Sequence, residues 1–445
     1  MRSYVPNTPE ERLDMLKAIG LNSMEELFAD IPAKARLNRP LNLPKGKSEA
    51  EVRRIVNSLV GDAGELPLFR GAGAYRHHIP AVIPAITSRS EFYTAYTPYQ
   101  AEMSQGMLQS IFEYQTLMCE LTGLDASNAS VYDGATACAE AMVMLRGATR
   151  KSKVLYSAGL NPQYVETIKT YARFVGFELE EIPLTAEGLT DYAVLEQKAA
   201  GAAGALVQSP NFYGCIERLD TAAGILHAGS ALLVAVVNPT SLGLLKRPGE
   251  LGADICVGDG QPLGLPLGAG GPYLGFMTAK QQYIRHLPGR IVGQTEDHEG
   301  NRAFVLTLQA REQHIRREKA SSNICSNQSL CALSAGIYLA AMGPEGMREV
   351  AAQCLQKAHY LRDGILAIKG MRARYANTPF FHEFVVDGAK DPAVLNAKLR
   401  SRGFIGGLRL NRYFDQDGGI LYCATEANTR EEIDAFLNAL EVSAK

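Results

Sequence analysis

The sequence predicts an α/β protein with a large, mainly parallel β-sheet followed by a smaller α+β domain. Beyond Ser130, short β-branched or apolar segments alternate with segments of helical spacing. The short segments lack the alternating polarity of strands that face water, which is typical of strands covered on both faces by crossover helices. Beyond Ser326 this alternation gives way to a long apolar helical segment and further short strands.

The composition is that of an ordinary globular protein. The chain has 445 residues, of which 46% are hydrophobic and 21% charged, and its net charge is −2. This length predicts two or three domains. We expect an N-terminal helical arm over residues 1–60, a large α/β domain over residues 61–325 and a small α+β domain over residues 326–445. No dense basic run supplies the attraction that nucleic acid or anionic lipid requires, so neither is an expected partner.

Three helix-start signals open the chain, at Thr8–Glu11, Ser23–Glu26 and Ser48–Glu51. In each, a hydroxyl and a carboxylate three residues later can satisfy free backbone amides, which predicts three short helices. Pro40–Pro44 is too proline-rich for a helix or a central strand. We expect it to form an arm over a neighbouring surface or an ordinary surface loop.

The large domain is predicted element by element. A long buried helix follows from the apolar spacing over Gln100–Leu121, with Gly123 as its left-handed stop. Helices are also predicted over Gln163–Val175 and Asp191–Ala199. The predicted strands are Val154–Tyr156, Phe177–Ile182, Ala205–Gln208, Leu232–Val237 and Asp254–Val257, followed by a Gly-rich segment over Gly258–Gly275 and a returning strand over Tyr273–Thr278. In such a sheet the functional site lies at the carboxyl ends of the strands.

The C-terminal domain is predicted from shorter signals. An apolar helix around Leu330–Leu339 leads to a second helix from about Pro344 to Ile368. The remaining predicted elements are strands near Arg372–Ala376, Phe384–Val386 and Ile420–Ala424, a helix from Pro392, and a capped helix from Thr429.

The cysteines and the N-terminal segment indicate the compartment. The eight cysteines are scattered without C-x-x-C spacing, so we expect reduced, mostly buried thiols and no metal site. Met1–Asp14 lacks the apolar core of a signal peptide, and no window approaches the roughly 20 apolar residues of a membrane span. We therefore expect a cytoplasmic protein without a membrane partner.

Two polar segments are candidates for a ligand site. Gly134, Ala135 and Thr136 begin a predicted helix, where free amides favour an anion, although Asp133 is as well suited to be the N-cap. The loop that carries Tyr93, Thr94, Tyr96 and Tyr99 is dense in hydroxyl groups, as a polar pocket requires.

Two further segments carry charge. Arg76, His77 and His78 follow a Gly-rich run, and metal binding by the two adjacent histidines is not expected, because their side chains point apart. The basic cluster Arg311–Lys319 is interpreted as a solvated or interface helix face.

The succession of four motifs resembles a known family. Gly71-Ala72-Gly73-Ala74-Tyr75, Tyr96-Thr97-Pro98-Tyr99-Gln100, Tyr132-Asp133-Gly134-Ala135-Thr136 and Arg311-Glu312-Gln313-His314-Ile315-Arg316-Arg317 occur in this order. Together they closely resemble the alpha subunit (subunit 1) of the P-protein of the glycine cleavage system, glycine dehydrogenase (decarboxylating), essentially end to end. The resemblance implies fold type I of the pyridoxal-phosphate (PLP) enzymes, with a large doubly wound domain and a small C-terminal domain.

The residues that such a fold uses to bind PLP are missing from this sequence. PLP needs a lysine for covalent attachment and an acid beside the pyridine nitrogen. No Asp or Glu occurs from Thr221 to Gly249, and Gln261 stands where the resemblance places the lysine. We interpret Asp259 as a cap of the Gly-rich turn rather than as the partner of the pyridine nitrogen. Lys246 is the alternative lysine, but it precedes the strand whose carboxyl end faces the site.

The resemblance therefore implies one half of an oxidoreductase, incomplete alone and arranged as an α2β2 heterotetramer. A homologous beta subunit (subunit 2) would hold PLP, and the complex would decarboxylate glycine, release CO2 and transfer the aminomethyl group to the lipoyl arm of the H-protein. In this reading Tyr93, Thr94, Tyr96 and Tyr99 wall the partner's pocket, and Arg76, His77 and His78 attract the substrate carboxylate or hold the interface. An independent PLP enzyme that uses Lys246 and a non-catalytic scaffold or regulatory subunit remain alternatives.

Overall fold

The chain forms two compact units, Met1–Glu65 and Leu66–Lys445. A computed structural model describes residues 6–37, 39–60, 66–268, 270–309, 312–320 and 322–444. Residue 61, where the large domain is expected to begin, and Arg311 of the basic cluster lie outside the described residues.

The N-terminal unit contains the helices α1 (Pro9–Ala18) and α2 (Glu49–Val60), with short 3₁₀ helices over Met24–Phe28 and Ala33–Ala35. Both α-helices begin at the predicted capping boxes, at Thr8 and Ser48. The second predicted helix is a 3₁₀ helix instead. The hydroxyl of Ser23 donates to the Glu26 side chain at 3.2 Å and does not cap the backbone.

The second unit is built around a mainly parallel sheet, as predicted. Within the described residues, seven strands pair in the order β1-β7-β6-β5-β4-β2-β3. The strands are β1 (Ala126–Ser127), β2 (Lys153–Ser157), β3 (Glu178–Ile182), β4 (Gly204–Gln208), β5 (Leu232–Val237), β6 (Ile255–Asp259) and β7 (Gly275–Ala279). Strands β2 to β6 are parallel, and β7 returns antiparallel to both β6 and β1.

Helices cover both faces of this sheet. The covering helices are α5 (Gln105–Thr122), α6 (Gly134–Thr149), α7 (Pro162–Val175), α8 (Tyr192–Ala199) and α9 (Leu219–Ala228), and the short helices α3 (Val82–Thr87) and α4 (Ser90–Tyr93) precede them in the chain. In β5, Leu233 and Ala235 pack into one hydrophobic core with α5, α8 and α9, whereas Val234 and Val236 pack into another with α6 and α7. Both faces of the strand are therefore dry, which explains its unbroken apolar sequence.

The start of α5 and the end of β6 are among the element boundaries that differ from the sequence prediction. Helix α5 begins at Gln105 and not at residue 100, because Ser104 departs from helical geometry (φ −126°, ψ 23°) after a 3₁₀ turn over Ala101–Met103. Strand β6 extends to Asp259, so that residue closes the strand and does not lie on the following turn. Gly258 belongs to the strand as well, and a side chain there would collide with the carbonyl oxygen of Val237.

The C-terminal part contains a separate antiparallel sheet. Before it come the hairpin of β8 (Ile291–Glu296) and β9 (Arg302–Thr307), the short helix α10 (Gln313–Arg316) and α11 (Ser329–Leu366), which bends at Gly343 (φ 60°) just before Pro344. The sheet consists, among the described residues, of β10 (Arg372–Ala373), β11 (Glu383–Asp387), β12 (Leu408–Arg409) and β13 (Ile420–Cys423), in the order β10-β11-β13-β12. Helices α12 (Pro392–Ser401) and α13 (Arg430–Ala444) complete this part, and α13 starts at the predicted Thr429 capping box.

The cysteines are mostly buried, as predicted. All eight cysteines are unpaired, and six of them are buried. No helix in the described parts of the chain is long and apolar enough to cross a lipid bilayer.

Candidate active site

A cavity of about 700 Å³ lies at the carboxyl ends of the parallel strands. Its walls come from six places in the sequence: the loop before α3, the start of α6, the start of α7, the end of β6 with the segment that follows it, the residue before α11, and the end of β12 with the turn after it. The lining residues are Arg70–Ala74, Tyr132, Asp133, Ala135, Asn161, Gln163, Tyr164, Thr167, Asp259, Gly270–Tyr273, Gln328, Leu408, Arg412 and Tyr413.

Gln261 lies immediately beyond β6 and is fully buried. Its side-chain oxygen accepts a hydrogen bond from the backbone amide of Tyr75 at 2.8 Å. Its amide nitrogen donates to the carbonyl oxygens of Tyr75 and Leu265, both at 2.8 Å. The carboxamide therefore joins the Gly-rich loop around Tyr75 to the turn that follows the strand.

The turn at the start of α6 is capped from within the protein. Asp133 is the N-cap, and its side chain accepts from the amide of Thr136 at 2.7 Å. Asp259 accepts from the amide of Gly134 at 3.0 Å and from that of Gln261 at 2.9 Å. The amides that could have bound an anion therefore donate to two carboxylates of the protein itself.

The environment of Asp259 strongly disfavours its charged form. Burial, together with the neighbouring carboxylate of Asp133, raises the pKa of Asp259 to about 7, against the opposing effect of the hydrogen bonds from Gly134 and Gln261. Gly134 is required for this close packing, since a side chain there would collide with the hydroxyl of Tyr164.

A second buried acid lies behind the Gly-rich loop. Glu383 of β11 accepts from the hydroxyl of Tyr75 at 2.7 Å and from the amide of Ala72 at 2.6 Å. Burial raises the pKa of Glu383 to about 7. The loop is also tied to α7, since the Asn161 side chain donates to the Ala72 carbonyl at 3.1 Å.

The predicted tyrosine loop lies outside this cavity. Tyr93 and Tyr96 are 71% and 85% exposed, and Thr94 only donates locally to the Ser90 carbonyl at 2.7 Å. Tyr99 is anchored by the buried Arg290, whose guanidinium donates to the Tyr99 hydroxyl at 3.0 Å and lies 5.4 Å from the ring centre. The Nε of Arg290 has no hydrogen-bond partner in the described structure.

The three residues predicted next to the Gly-rich run have different surroundings. Arg76 is exposed and donates to the Leu66 carbonyl at 3.3 Å. His77 is buried, and its Nδ1 lies 2.7 Å from Glu426 Oε2. The exposed His78 contributes its backbone amide to the same carboxylate at 2.7 Å.

His77 has neighbours that the sequence did not indicate. The thiol of Cys354 donates to Glu426 Oε2 at 3.3 Å, so imidazole, thiol and carboxylate meet with their ligand atoms within 4.8 Å of one another. Burial raises the pKa of Glu426, but the hydrogen bond and charge of His77 outweigh it, so the net shift is downward. The group is a buried hydrogen-bonded cluster, and Nε2 of His77 has no hydrogen-bond partner in the described structure.

Most of the residues predicted from the sequence to form a site lie away from the cavity. Of the predicted pocket and interface residues, Ala135 is the one that lines the cavity in the described structure, with Gly134 beside it. The described residues of the basic cluster form the short helix α10 and a 3₁₀ turn over Arg317–Lys319. Most of them are exposed. Lys246 is exposed on the segment between β5 and β6 and does not line the cavity.

The family follows from comparison with known proteins. The model of the glycine cleavage system P-protein family matches residues 2–440. The chain belongs to the glycine cleavage system P-protein family. A protein from Moorella thermoacetica named probable glycine dehydrogenase (decarboxylating) subunit 1 is 54% identical over 440 residues, which are 98% of this chain and 99% of the relative. A protein of the same name from Desulforamulus reducens is 52% identical over 436 residues, 97% of each chain.

Solved structures agree with this membership. The crystal structure of a glycine decarboxylase (P-protein) of the glycine cleavage system, in inhibitor-bound form, superposes with a TM-score of 0.90 at 45% identity, over 99% of this chain and 100% of that one. A glutamate decarboxylase from Lactobacillus brevis gives a TM-score of 0.67 at 12% identity, over 95% and 98% of the two chains, and shares the fold alone. The predicted fold, type I of the PLP-dependent enzymes, is confirmed.

The residues of this P-protein family member do not fit PLP bound covalently to the chain itself. A carboxamide forms no imine with an aldehyde, and Gln261 is fixed by three hydrogen bonds. The carboxylates of Asp133 and Asp259 would repel a phosphate at the start of α6. Beyond β5, Asn238 stands where an acid would be needed, and its side chain caps Thr240 at 3.0 Å.

Sequence reasoning missed most of the cavity walls. Arg70, Asn161, Tyr164 and Arg412 belong to segments that are far apart in the chain and meet only in the folded structure. Asn161 carried a local signal, because it precedes Pro162 and caps α7 through the amide of Gln163 at 2.9 Å. Arg412 lies in a turn of the C-terminal sheet, and no motif around it indicated a site.

Proposed function

We propose that this chain is the subunit of a glycine-decarboxylating enzyme that does not anchor PLP. A homologous second subunit would hold the cofactor, and the two together would decarboxylate glycine, release CO2 and pass the aminomethyl group to the lipoyl arm of the H-protein. PLP supplies the electron sink for such a decarboxylation when it is bound. The proposal also includes an α2β2 assembly and a cytoplasmic location.

The observation that carries this proposal is the fixed carboxamide of Gln261. A buried side chain with all three of its hydrogen bonds made to the backbone is part of the structure of the loop. A side chain awaiting a ligand would instead have an unpaired polar atom. The choice of glycine decarboxylation as the reaction is supported by membership in the P-protein family and by the 54% identity to a protein named as subunit 1 of that enzyme.

The tyrosine loop is the part of this chain that we propose to complete the partner's site. Its aromatic side chains are exposed, which leaves them available to another surface. Tyr99 is held in place by Arg290, whose own Nε is unsatisfied. Buried guanidinium groups are normally paired, so this arrangement favours an anionic group of the partner site close to Arg290. Arg76 and His78 would act at the interface, whereas His77 would position the loop from beneath through Glu426.

The two alternatives differ in what they require. An independent PLP enzyme would need Lys246, but that lysine is exposed between β5 and β6 and does not line the cavity. A non-catalytic scaffold or regulator would leave the second subunit fully active by itself.

Reconstitution of the two subunits tests the proposal. The exchange of labelled CO2 with the glycine carboxyl is measured for each chain alone and for the mixture. We expect exchange only in the mixture, and we expect this chain with added PLP to show no visible imine absorbance that borohydride removes. Full activity of subunit 2 alone, or an imine on this chain, would contradict the proposal. Tyr96→Phe should reduce exchange in the mixture, and the control Tyr360→Phe, which changes an exposed tyrosine of α11, should not.

A further inference from the structure

The cavity at the carboxyl edge of the sheet is lined by acidic and basic side chains that have no ion-pair partner among the described residues. On the wall made by α6 and β6, Asp133 and Asp259 both accept from backbone amides of the first turn of α6, and the charge of Asp133 helps to raise the pKa of Asp259. Neither forms an ion pair with a basic side chain in the described residues. Two carboxylates that face a cavity without a cation are stabilised by a bound ammonium group.

Another wall carries the opposite charge. Arg70 and Arg412 line the cavity, and neither has an acidic partner among the described residues. Two of the guanidinium N–H groups of Arg70 donate to the carbonyls of Gly406 and Gly407 at 3.2 and 3.3 Å. Burial lowers the pKa of Arg70, and the neighbouring charges of Arg412 and Arg409 lower it further. A bound carboxylate would relieve this repulsion.

The rest of the lining is polar and suited to a small ligand. The cavity is also lined by Gln163, Tyr164 and Tyr273, whose side chains carry amide and hydroxyl groups. The volume of about 700 Å³ is within the range of roughly 300–1,000 Å³ typical of small-molecule sites. It leaves room for a side chain as well as for the two charged ends.

We propose that this cavity is a second, PLP-free site that binds a free α-amino acid as its zwitterion, with the ammonium group at Asp133 and Asp259 and the carboxylate at Arg70 and Arg412. A phosphate or a simple carboxylate satisfies the arginines and leaves the aspartates unpaired, and a simple amine does the reverse. This proposal can be tested independently of glycine decarboxylation, because amino-acid binding can be measured on this chain without the partner subunit and without PLP.

Matched ligands provide the test. Isothermal titration calorimetry on the full chain compares glycine, L-alanine, L-serine, L-leucine and L-glutamate with acetate, methylamine and inorganic phosphate. At least one amino acid should bind about tenfold or more tightly than acetate or methylamine, because a charge-assisted contact at each end is gained. If no amino acid binds, or if acetate or phosphate binds as tightly, the proposal is wrong.

Two variants locate the binding. Arg412 is exposed, so Arg412→Gln should leave the fold intact and weaken binding about tenfold. Asp133→Asn keeps an N-cap side chain for Thr136 while removing the charge, and should have a similar effect. Exposed residues away from the cavity provide the controls Arg348→Gln and Asp363→Asn, which should bind as the unmodified chain does. Unchanged affinity in both cavity variants, with unchanged thermal unfolding, would place the amino acid elsewhere and overturn the proposal.

Discussion

Gln261 and Tyr75 are joined in the manner of two paired backbone strands. The carboxamide oxygen accepts from the Tyr75 amide and the carboxamide nitrogen donates to the Tyr75 carbonyl, both at 2.8 Å. The side chain thus replaces a ladder of backbone hydrogen bonds between two loops that are far apart in sequence. Tyr75 itself continues the connection to Glu383 in β11. One amide therefore links the large sheet to the smaller C-terminal sheet.

Restoring a lysine at this position should not restore PLP binding. Gln261→Lys leaves the Tyr75 amide without an acceptor and buries an ammonium group, and should lower the free energy of unfolding by about 3 kcal/mol or more. The carboxylates at the start of α6 would still oppose a phosphate. Urea unfolding measures the loss of stability, and absorbance after PLP addition and borohydride reduction measures attachment. Gln282→Lys, on the surface, is the control and should be neutral; a stable, yellow Gln261→Lys protein would refute this account.

The contact between Arg290 and Tyr99 should matter for the assembled enzyme. In Arg290→Met the ring of Tyr99 loses both its hydrogen bond and the guanidinium against its face. Because misplacement of a site group by about 1 Å can reduce a rate by roughly a hundredfold, we expect CO2 exchange in the reconstituted complex to fall about tenfold or more. The matched control is Arg430→Met, which removes an exposed guanidinium 5.2 Å from the Tyr360 ring. Equal exchange rates in the two variants would argue against a role for the loop.

The parallel sheet could be predicted because its strands are apolar on both faces. In β5 alternate residues pack into two different cores, so every position is apolar and the strand can be recognised in the sequence. The hairpin of β8 and β9 was missed although its turn has a signal: Asp297 accepts from the amides of Glu299 and Asn301, both at 2.9 Å. Helix α9 was missed because no side chain caps its start at Arg218.

The site was predicted less completely than the fold. Gln261 could be recognised as the replacement of the PLP lysine, because its place directly after a predicted strand and within the order of motifs can be read from the sequence itself. The meeting of Arg70, Arg412 and Asp259 could not, because it depends on how the C-terminal sheet lies over the carboxyl edge of the large sheet. His77 was predicted as a site residue on composition alone, and its pairing with Glu426 joins segments more than 300 residues apart in sequence.

At the amino ends of the parallel strands, Asp254 connects several elements of the large sheet. Its buried carboxylate accepts from the amide of Leu233 at 2.9 Å, from His227 at 2.8 Å and from Lys280 at 2.7 Å. These partners belong to β5, α9 and the residue after β7. Asp254→Ala leaves the Leu233 amide and the Lys280 ammonium unpaired, and should lower the free energy of unfolding by about 3 kcal/mol. Urea unfolding measures this. Asp363→Asn, at an exposed ion pair of α11, should change stability by less than about 1 kcal/mol, and an equal loss in both variants would contradict the assignment.

Glu140 of α6 should make the stability of the protein depend on pH. Burial raises the pKa of Glu140 from 4.5 to about 7, and its Oε1 has no hydrogen-bond partner in the described structure. The folded state therefore holds this proton more tightly than the unfolded state does. Between pH 4.5 and about 7 the free energy of unfolding falls as pH rises, and it levels off above that window.

The variant Glu140→Gln removes the titrating group. At pH 5 it should have nearly the stability of the unmodified chain, since Glu140 is then protonated when folded. At pH 8 it should be more stable by about 2–3 kcal/mol, because no buried carboxylate needs to ionise. Urea unfolding at both pH values measures the difference between the two proteins. The exposed Glu345→Gln provides the control and should show no such pH-dependent gain. A gain of equal size at pH 5 and pH 8 would mean that packing, and not the charge of Glu140, is responsible.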